Sequence, residues 1–299
     1  MAVAGPTVHP RLGSRFAKCV LTSGQGDRSD ATLHQPYGTP APALVFSSDF
    51  CYDTRVPTDD KAIRLGHPSY VWRFGQDRRL DLIRRYVALD NACVLDIGCG
   101  IGAYVEKFSA LNARAFGVDV DAEKVVNARH EKNLDSLALA VSEALPFPDD
   151  FFDAILLHEV IEHVADDAQT IREAQRVCRR GGRVVVFAPN RLYPFETHGA
   201  YFGKRYVFGN IPLINWLPDF LRDRFAPHVR TYTARDIRAL FAGLAGALIA
   251  HTQIYPGYDK LARRSAWLAR VLRGVTYFSE HTPLRVFGLS HFAVWQKSF

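Results

Sequence analysis

Several kinds of segment are absent from this sequence of 299 residues, and each absence excludes a class of protein. The five cysteines are scattered, odd in number and nowhere spaced C-x-x-C, which argues against a zinc site and favours reduced thiols. No continuous apolar h-region opens the sequence, and its most apolar later run, LFAGLAGALIA, is too short to span a bilayer. We therefore expect a cytoplasmic protein that is neither secreted nor inserted into a membrane.

A large excess of one charge is also missing. Lys and Arg number 37 against 31 Asp and Glu, and the net charge of +6 is spread along the chain in short clusters such as CRRGGR. A solvated surface explains this pattern, so a nucleic-acid partner is not favoured. With 48% hydrophobic residues, the chain can bury a full globular core.

The first 90 residues divide by composition into two parts. Residues 1–45 are rich in Gly, Pro, Ser and Thr and lack periodicity, which predicts a flexible leader. In residues 46–90, Leu80, Ile83 and Val87 recur at helical spacing among arginines. This spacing predicts an amphipathic N-terminal helical cap ahead of the first strand.

From residue 91 onward, strand patterns alternate with helical patterns. The predicted strands are CVLDIG, RAFGVDV, LALAVS, DAILLH, GRVVVFAP, ALIAHTQIY and HFAVWQK. The alternation predicts an α/β fold with a doubly wound, mainly parallel seven-stranded sheet. We expect one domain over 91–299, with a cofactor-binding half at 91–190, a lid or acceptor-lining insertion at 191–230, and final helices and strands at 231–299.

A glycine-rich turn follows the first predicted strand, in the stretch VLDIGCGIGAY. Gly98, Gly100 and Gly102 allow a tight backbone turn that a ligand can approach closely. Gly98, Gly100 and Ala103 also satisfy the dinucleotide-binding pattern G-x-G-x-x-G/A. Both interpretations expect an acid at the end of the second strand, which Asp119 supplies. The turn by itself therefore leaves two nucleoside cofactors open.

Four segments together carry a resemblance to a known family. VLDIGCGIG, GVDVD, EALPFPDDFFDAILLHEVIEHV and AQRVCRRGGRVVVFAPN, in this order and at these separations, resemble class I S-adenosylmethionine-dependent methyltransferases of the type 11 kind. The resemblance covers residues 91–190 and implies a Rossmann-like fold, an S-adenosyl-L-methionine cofactor and methylation as the activity.

The resemblance also implies a set of cofactor-binding residues. The turn would hold the methionine part of the cofactor, Asp96 would orient that part, and Asp119 would bind the ribose. The family often has an Asp before AEDLPF to accept from the adenine amino group, but this chain has Val141 there. The adenine contact would then fall to a neighbour or to the backbone. The expected cofactor-binding residues are Asp96, Gly98, Cys99, Gly100, Gly102, Asp119, Val120, Ser142, Glu143 and His158.

After the fourth predicted strand, HEVIEHV contains an E-x-x-E-H pattern. If this turn is helical, Glu159, Glu162 and His163 project from one face and can share a ligand. The pattern is similar to that of ubiquinone-pathway O-methyltransferases and small-RNA 2′-O-methyltransferases, which implies a divalent metal such as Mg²⁺. The interpretation that we favour is simpler, with Glu162 and His163 stabilising the loop and the cofactor pocket.

A second candidate for chemistry lies in the insertion. His198 in PFETHG is either a further metal ligand or a general base for an acceptor hydroxyl, because an imidazole titrates near neutrality. We therefore name His163, His198 and Glu162 as the candidate catalytic residues. The aromatic residues of the insertion either line an acceptor pocket or form a small satellite core: Tyr193, Phe195, Tyr201, Phe202, Tyr206, Phe208, Trp216 and Phe220.

The sequence leaves the acceptor and the partners open. The leading hypothesis is methyl transfer to a hydroxyl of a small molecule, which is aromatic, a glycan or lipid-linked. The alternatives are an NAD(P)-dependent oxidoreductase with the same turn, or a non-catalytic binding module that keeps the fold. The basic stretch LARRSAWLARVLRGV allows peripheral membrane contact, which we rank below ordinary packing. No oligomeric state is predicted.

Overall fold

A computed structural model of the protein describes residues 73–299. The predicted leader at 1–45, the first part of the predicted helical cap, and Cys19 and Cys51 lie outside the described residues. The strands are β1 (Cys93–Ile97), β2 (Arg114–Asp119), β3 (Leu137–Leu139), β4 (Phe152–His158), β5 (Cys178–Pro189), β6 (Phe195–Glu196), β7 (Ala200–Phe202), β8 (Arg205–Val207), β9 (Ile211–Pro212), β10 (Gly246–Ile254) and β11 (Ser290–Lys297).

Helices lie in five of the ten connections between consecutive strands. They are α1 (Phe74–Tyr86), α2 (Ala103–Ala110), α3 (Ala122–Lys132), α4 (Asp167–Val177), α5 (Asp219–Phe225), α6 (Ala234–Leu240), α7 (Asp259–Ala262) and α8 (Ala266–Ser279), with short 3₁₀ turns at Ile214–Trp216 and Pro283–Phe287. Among residues 73–299, we find no helix of the length and apolarity that a membrane crossing requires.

Seven strands form one sheet in the order β10-β11-β5-β4-β1-β2-β3. The pairs from β5 through β4, β1 and β2 to β3 are parallel, and β11 runs antiparallel to both β5 and β10. The prediction of a mainly parallel seven-stranded sheet is therefore confirmed. A dinucleotide-binding sheet has six parallel strands in the order 3-2-1-4-5-6, so the antiparallel β11 sets this topology apart from it.

The central strands are nearly all apolar because both of their faces are buried in the core. Every residue of β1 is buried, because helices cover both faces of a parallel sheet. On one face, Leu80, Ile83 and Val87 of the N-terminal segment join the same core as Phe108 and Val294. The apolar stripe that predicted α1 is thus the stripe that the helix buries.

Several boundaries differ from the predicted ones for local reasons. β3 ends at Leu139 instead of extending through LALAVS, and β5 begins at Cys178, before the predicted GRVVVFAP. The chain bulges there, since Phe152 pairs with Cys178 but Ala154 already pairs with Arg183. The start of α6 is fixed by a reciprocal capping box between Thr233 and Asp236.

The segment between β5 and α6 folds into short pieces instead of one regular element. β6 pairs with β9, and β7 pairs with β8, both antiparallel. A 3₁₀ turn and α5 follow. This segment leaves the sheet where β5 ends, which is the edge at which parallel α/β sheets bind ligands.

Candidate active site

The turn after β1 is fastened to the end of β2 by backbone hydrogen bonds. The amides of Gly98 and Cys99 both donate to the carbonyl of Val118, at 2.7 and 3.0 Å. Gly98, Gly100 and Gly102 all have positive φ, at 70°, 53° and 70°. Glycine adopts this left-handed backbone without the penalty that a Cβ imposes, which is the local reason for three glycines.

The three glycines nevertheless meet different surroundings. A Cβ on Gly98 would lie 2.5 Å from Cγ2 of Val160, and one on Gly102 would lie 2.6 Å from Cδ1 of Leu134. A Cβ on Gly100 would meet nothing within 4 Å. Gly98 and Gly102 are therefore required by packing, whereas the Cβ direction of Gly100 points into open space that a ligand can enter.

Asp119 at the end of β2 organises this open part of the turn. Its Oδ2 accepts from the amide of Gly100 at 2.7 Å, and its Oδ1 accepts from the amide of Asp121 at 2.9 Å. A carboxylate has about four acceptor positions, so further hydrogen bonds to a ligand hydroxyl remain available. The next residue, Val120, is an exposed apolar side chain beside this carboxylate.

Asp96 is buried near the carboxyl end of the central strand β1. Burial and then the negative charge of Asp119 raise the pKa of Asp96 well above its ordinary value, with no hydrogen bond from the described residues to offset them. A buried pair of carboxylates without a cation is costly. The pair therefore fits a ligand that carries positive charge, such as a sulfonium with an amino group, better than it fits a phosphate.

Three other predicted cofactor residues already have partners within the protein. The Sγ of Cys99 points at the backbone of Gly117, where a Cβ would lie 2.7 Å from it. Ser142 Oγ donates to Glu143 Oε2 at 2.9 Å and lies 3.0 Å from Thr170 Oγ1. Glu143 Oε1 accepts from the amides of Ala165 and Asp166, at 2.9 and 3.2 Å, just before α4. Their predicted contacts with the cofactor remain predictions.

A cluster that the sequence did not indicate joins α1 to the end of β4. Arg79 Nη1 lies 2.7 Å from both His158 Nε2 and Glu159 Oε1, and its Nη2 donates to Ser290 Oγ at 2.8 Å. Ser290 Oγ in turn donates to Glu159 Oε1 at 2.6 Å. Arg79 and His158 are 79 residues apart, so no local pattern could have revealed this contact.

This cluster fixes the protonation of its members. Burial and then Arg79 lower the pKa of His158 to about 3, so its imidazole is neutral. Burial alone would raise the pKa of Glu159, but Arg79 and Ser290 outweigh it and lower that pKa to about 2. Glu159 also has φ of 55°, which is strained for a residue other than glycine.

Glu162, His163 and His198 come together in the structure. One possible ligand atom from each lies within 4.8 Å of the others. Glu162 Oε1 is 3.8 Å from His163 Nε2 and 3.9 Å from His198 Nε2. Both carboxylate oxygens of Glu162 are buried without a hydrogen-bond donor among the described residues. Glu159, predicted as a fellow ligand, instead uses Oε1 to pair with Arg79.

His198 is oriented by a buried ion pair. Its Nδ1 lies 3.1 Å from Glu196 Oε1, and Glu196 Oε2 accepts from Arg222 Nη2 at 2.9 Å. Glu196 and Arg222 are both almost completely buried. Because Glu196 accepts from Nδ1, the Nε2 of His198 is left as the basic nitrogen and faces Glu162. No local pattern in the sequence pointed to Arg222, which lies 26 residues from Glu196.

The surroundings of this triad disfavour charge on His163 and on Glu162. Burial and then His198 and His228 lower the pKa of His163 to about 4. Burial and then the charge of Glu159 raise the pKa of Glu162 well above its usual value. A neutral His163 beside a carboxyl with a raised pKa is the arrangement of a proton-transfer site or of a cation site.

The predicted aromatic residues of the insertion do not form one pocket lining. Tyr201 and Tyr206 pack against each other and against His228, with ring centroids 5.0 to 5.8 Å apart. By contrast, Phe202, Phe208 and Phe220 are exposed. A separate cavity of about 480 Å³ is lined by Arg191, Leu192, Asn215, Trp216 and Phe287.

Sequence comparison finds methyltransferases among the relatives of this chain. Residues 95–186 match the family model described as "Methyltransferase domain". A ubiquinone biosynthesis O-methyltransferase from Bartonella tribocorum is 33% identical over 140 residues, which are 45% of this chain and 53% of that protein. A probable S-adenosylmethionine-dependent methyltransferase from Mycolicibacterium smegmatis is 34% identical over 111 residues, 36% of this chain and 43% of that protein.

Solved structures show the same fold. An S-adenosylmethionine-dependent methyltransferase from Mesorhizobium loti has a TM-score of 0.53 at 16% identity, covering 73% of this chain and 96% of that one. A putative methyltransferase of Haloferax volcanii, in complex with the activator Trm112, has a TM-score of 0.51 at 18% identity, covering 75% and 92%. The sheet therefore has the Rossmann-like fold of this enzyme class.

These findings confirm the resemblance seen in the sequence. Residues 95–186 resemble a methyltransferase domain, and the sheet around them has the fold of S-adenosylmethionine-dependent methyltransferases. The match spans only about half of the curated relatives' length, and the insertion that carries His198 lies beyond the family model.

Proposed function

We propose that the protein transfers a methyl group from S-adenosyl-L-methionine to a hydroxyl of a small molecule. The observation that supports the cofactor assignment is the turn at Gly100, where Asp119 accepts from the amide and the space beside Cα is free of protein atoms. The printed name of the Bartonella relative, an O-methyltransferase, supports oxygen as the accepting atom.

The cofactor would supply an electrophilic methyl group on a cationic sulfonium. In this proposal, Asp96 and Asp119 favour that cation, and Asp119 also accepts from the ribose hydroxyls. Val120 provides an exposed apolar surface against which the adenine can pack. Much of the rate enhancement then comes from holding the acceptor oxygen in line with the methyl carbon.

On the acceptor side, His198 is the best general base. Glu196 fixes its Nδ1, so Nε2 is the nitrogen that would accept the proton of the acceptor hydroxyl. Glu196 and Arg222 act through His198 and are positioning residues. Glu162 would stabilise the protonated imidazole once the proton has moved, because its carboxyl lies 3.9 Å from Nε2.

A divalent cation is the alternative to a free His198 base, because an Nε2 that binds a metal cannot also accept the proton of the acceptor. Glu162, His163 and His198 would hold it, because their ligand atoms converge and the oxygens of Glu162 have no protein donor. Glu196 on the second nitrogen of His198 is a typical support for a metal-binding imidazole. Two imidazoles and one carboxylate suit Zn²⁺, Fe²⁺ or Mn²⁺ better than Mg²⁺, which prefers oxygen ligands. The ion would lower the pKa of a bound hydroxyl.

Calorimetry with S-adenosylhomocysteine tests the cofactor assignment directly. We expect binding by the full chain, and Asp119→Asn should weaken it by about tenfold or more through lost charge-assisted hydrogen bonds. Asp135→Asn, an exposed change nearby on the way to β3, is the matched control. A correctly folded protein that gives no heat and no thermal shift would contradict the proposal, and binding without any methyl transfer would favour a binding module.

The metal is tested separately by titrating Mn²⁺ or Zn²⁺ into the chelator-treated protein. Glu162→Gln and His198→Ala should each weaken metal binding, whereas His130→Ala on the exposed side of α3 should not. Full methyl transfer in the presence of chelator would remove the metal and leave His198 as the base.

A further inference from the structure

The C-terminal helix α8 is amphipathic, but its apolar stripe faces solvent. Trp267, Val275 and Phe278 are 69%, 62% and 72% exposed, and Leu268 and Val271 are also exposed. Because residues at i, i+4, i+8 and i+11 lie on one side of a helix, Trp267, Val271, Val275 and Phe278 form a continuous stripe. An apolar stripe of this length at the surface indicates an interaction site.

Loose packing does not explain this exposure, since the opposite face of α8 is firmly held by polar contacts. The Arg273 guanidinium lies 3.9 Å from the ring centroid of Phe74, and its Nε donates to the carbonyl of Gly257 at 2.8 Å. Tyr277 donates to the carbonyl of Pro256, and Arg78 of α1 lies 3.9 Å from the Tyr277 ring centroid. These contacts fix which side of the helix faces outward.

The surroundings of the stripe are positively charged. Residues 260–279 contain five cations and no Asp or Glu, whereas the whole chain has a net charge of only +6. Of the five, Lys260, Arg263, Arg264 and Arg270 are exposed, and Arg273 faces inward. An exposed apolar stripe with a rim of arginines is the pattern of a helix that lies in the interface of an anionic membrane.

The apolar surface continues from α8 toward the insertion. The 3₁₀ turn after α8 exposes Leu284, Val286 and Phe287. Phe287 packs against Trp216 of the insertion, with ring centroids 6.3 Å apart, and Lys260 lies 5.6 Å from the ring centroid of Phe208. The exposed apolar surface of α8 therefore adjoins that of the insertion.

We propose that α8 docks the protein on the surface of an anionic phospholipid membrane, with the stripe in the headgroup region and the arginines on lipid phosphates. Charge favours a lipid surface over a second copy of this chain. Two copies joined through the stripe would place arginine rims of the same sign against each other, whereas anionic headgroups neutralise them. The proposal does not depend on which acceptor the protein methylates.

Vesicle flotation of the full chain tests the proposal without cofactor or acceptor. We expect binding to vesicles of phosphatidylcholine with phosphatidylglycerol, little binding to phosphatidylcholine alone, and weaker binding as salt rises. Val271→Glu with Phe278→Glu should lower the partition coefficient by about tenfold or more, because two apolar anchors are replaced by negative charge. Arg264→Glu with Arg270→Glu should do the same.

Two controls separate docking from general effects of charge and folding. Val126→Glu and Arg129→Glu introduce the same changes at exposed positions of α3, where Val126 is 50% exposed, and should leave vesicle binding unchanged. S-adenosylhomocysteine binding and the melting temperature report on folding of every variant. Absence of wild-type binding to anionic vesicles, or equal binding by the α8 variants, would overturn the proposal. A concentration-dependent dimer that the α8 variants abolish would assign the stripe to a second copy instead.

Discussion

The two sides of the candidate active site are built in opposite ways. The cofactor side comes from one stretch of chain, in which β1, the glycine turn and the end of β2 hold one another through backbone amides and Asp119. The acceptor side depends on side chains that are distant in sequence, such as Arg222 and Glu196, 26 residues apart. Substitutions on the cofactor side should act through the space around the backbone, whereas substitutions on the acceptor side should act through unpaired buried charge. We therefore expect the two sides to respond differently to mutation.

The largest loss of stability should follow from breaking the buried ion pair of the acceptor side. Arg222→Met leaves the carboxylate of Glu196 buried without its cation, which should lower the free energy of unfolding by about 3–5 kcal/mol in urea titrations. Adding Glu196→Gln to the same chain should restore most of that loss. Asp219→Asn, at the exposed Arg191–Asp219 pair of the same insertion, should cost less than about 1 kcal/mol.

Two substitutions in the glycine turn should distinguish an effect on packing from an effect on cofactor binding. Gly98→Ala forces a Cβ onto Val160 in a left-handed backbone and should cost about 2–4 kcal/mol of unfolding free energy. Gly100→Ala has only the backbone penalty, about 1–2 kcal/mol, yet it should weaken S-adenosylhomocysteine binding by calorimetry. Normal affinity in Gly100→Ala would show that the ligand does not approach this backbone.

Acid should weaken the protein through His158, which lies between the two sides at the end of β4. Its pKa is lowered to about 3, so below pH 6.5 the unfolded chain binds a proton that the folded protein does not. Stability from this group is therefore present above pH 6.5 and is lost as pH falls toward 3. Between pH 7 and pH 5, thermal unfolding of wild type should lose about 1–2 kcal/mol more than that of His158→Gln. Parallel pH profiles for the two proteins would contradict this.

The smallest expected change in stability is an increase, in the variant Glu162→Gln. Glu162→Gln removes a buried carboxyl that has no hydrogen-bond donor, so the unfolding free energy should rise by about 0.5–2 kcal/mol. Transfer of labelled methyl groups into an extract of small molecules should fall by about 100-fold or more. The exposed change Glu131→Gln on α3 should alter neither quantity, and a Glu162→Gln protein that is both less stable and fully active would assign Glu162 a structural role.

The cofactor side was largely predictable from the sequence, because its signals are local. The signal consists of an apolar run, three glycines and an acid at the end of the next strand, all within about 30 residues. In the structure, the Gly100 amide donates directly to Asp119. Ser142 and Glu143 show the limit of this reasoning, since their side chains have partners at Thr170 and before α4 that spacing does not reveal.

The acceptor side was predictable only in part. The E-x-x-E-H spacing pointed to Glu162 and His163, whose ligand atoms lie close together. It also grouped Glu159 with them, but Glu159 Oε1 pairs with Arg79 of α1. His198 was one of eleven histidines in the sequence, and no local pattern tied it to Glu162. The exposed stripe of α8 was visible as an amphipathic pattern, but that pattern does not tell whether the apolar side faces the core or the solvent.

The sequence by itself determined the order of strands and helices, the left-handed glycine turn and the acid beside it, because backbone conformation and short-range hydrogen bonds depend on near neighbours. The tertiary structure decided which histidine meets Glu162, which carboxylate receives Arg79, and which face of α8 remains exposed. Those outcomes depend on burial and on pairing between distant charges, and both arise only when the sheet brings the ends of β4, β5 and β11 together with α1 and the insertion.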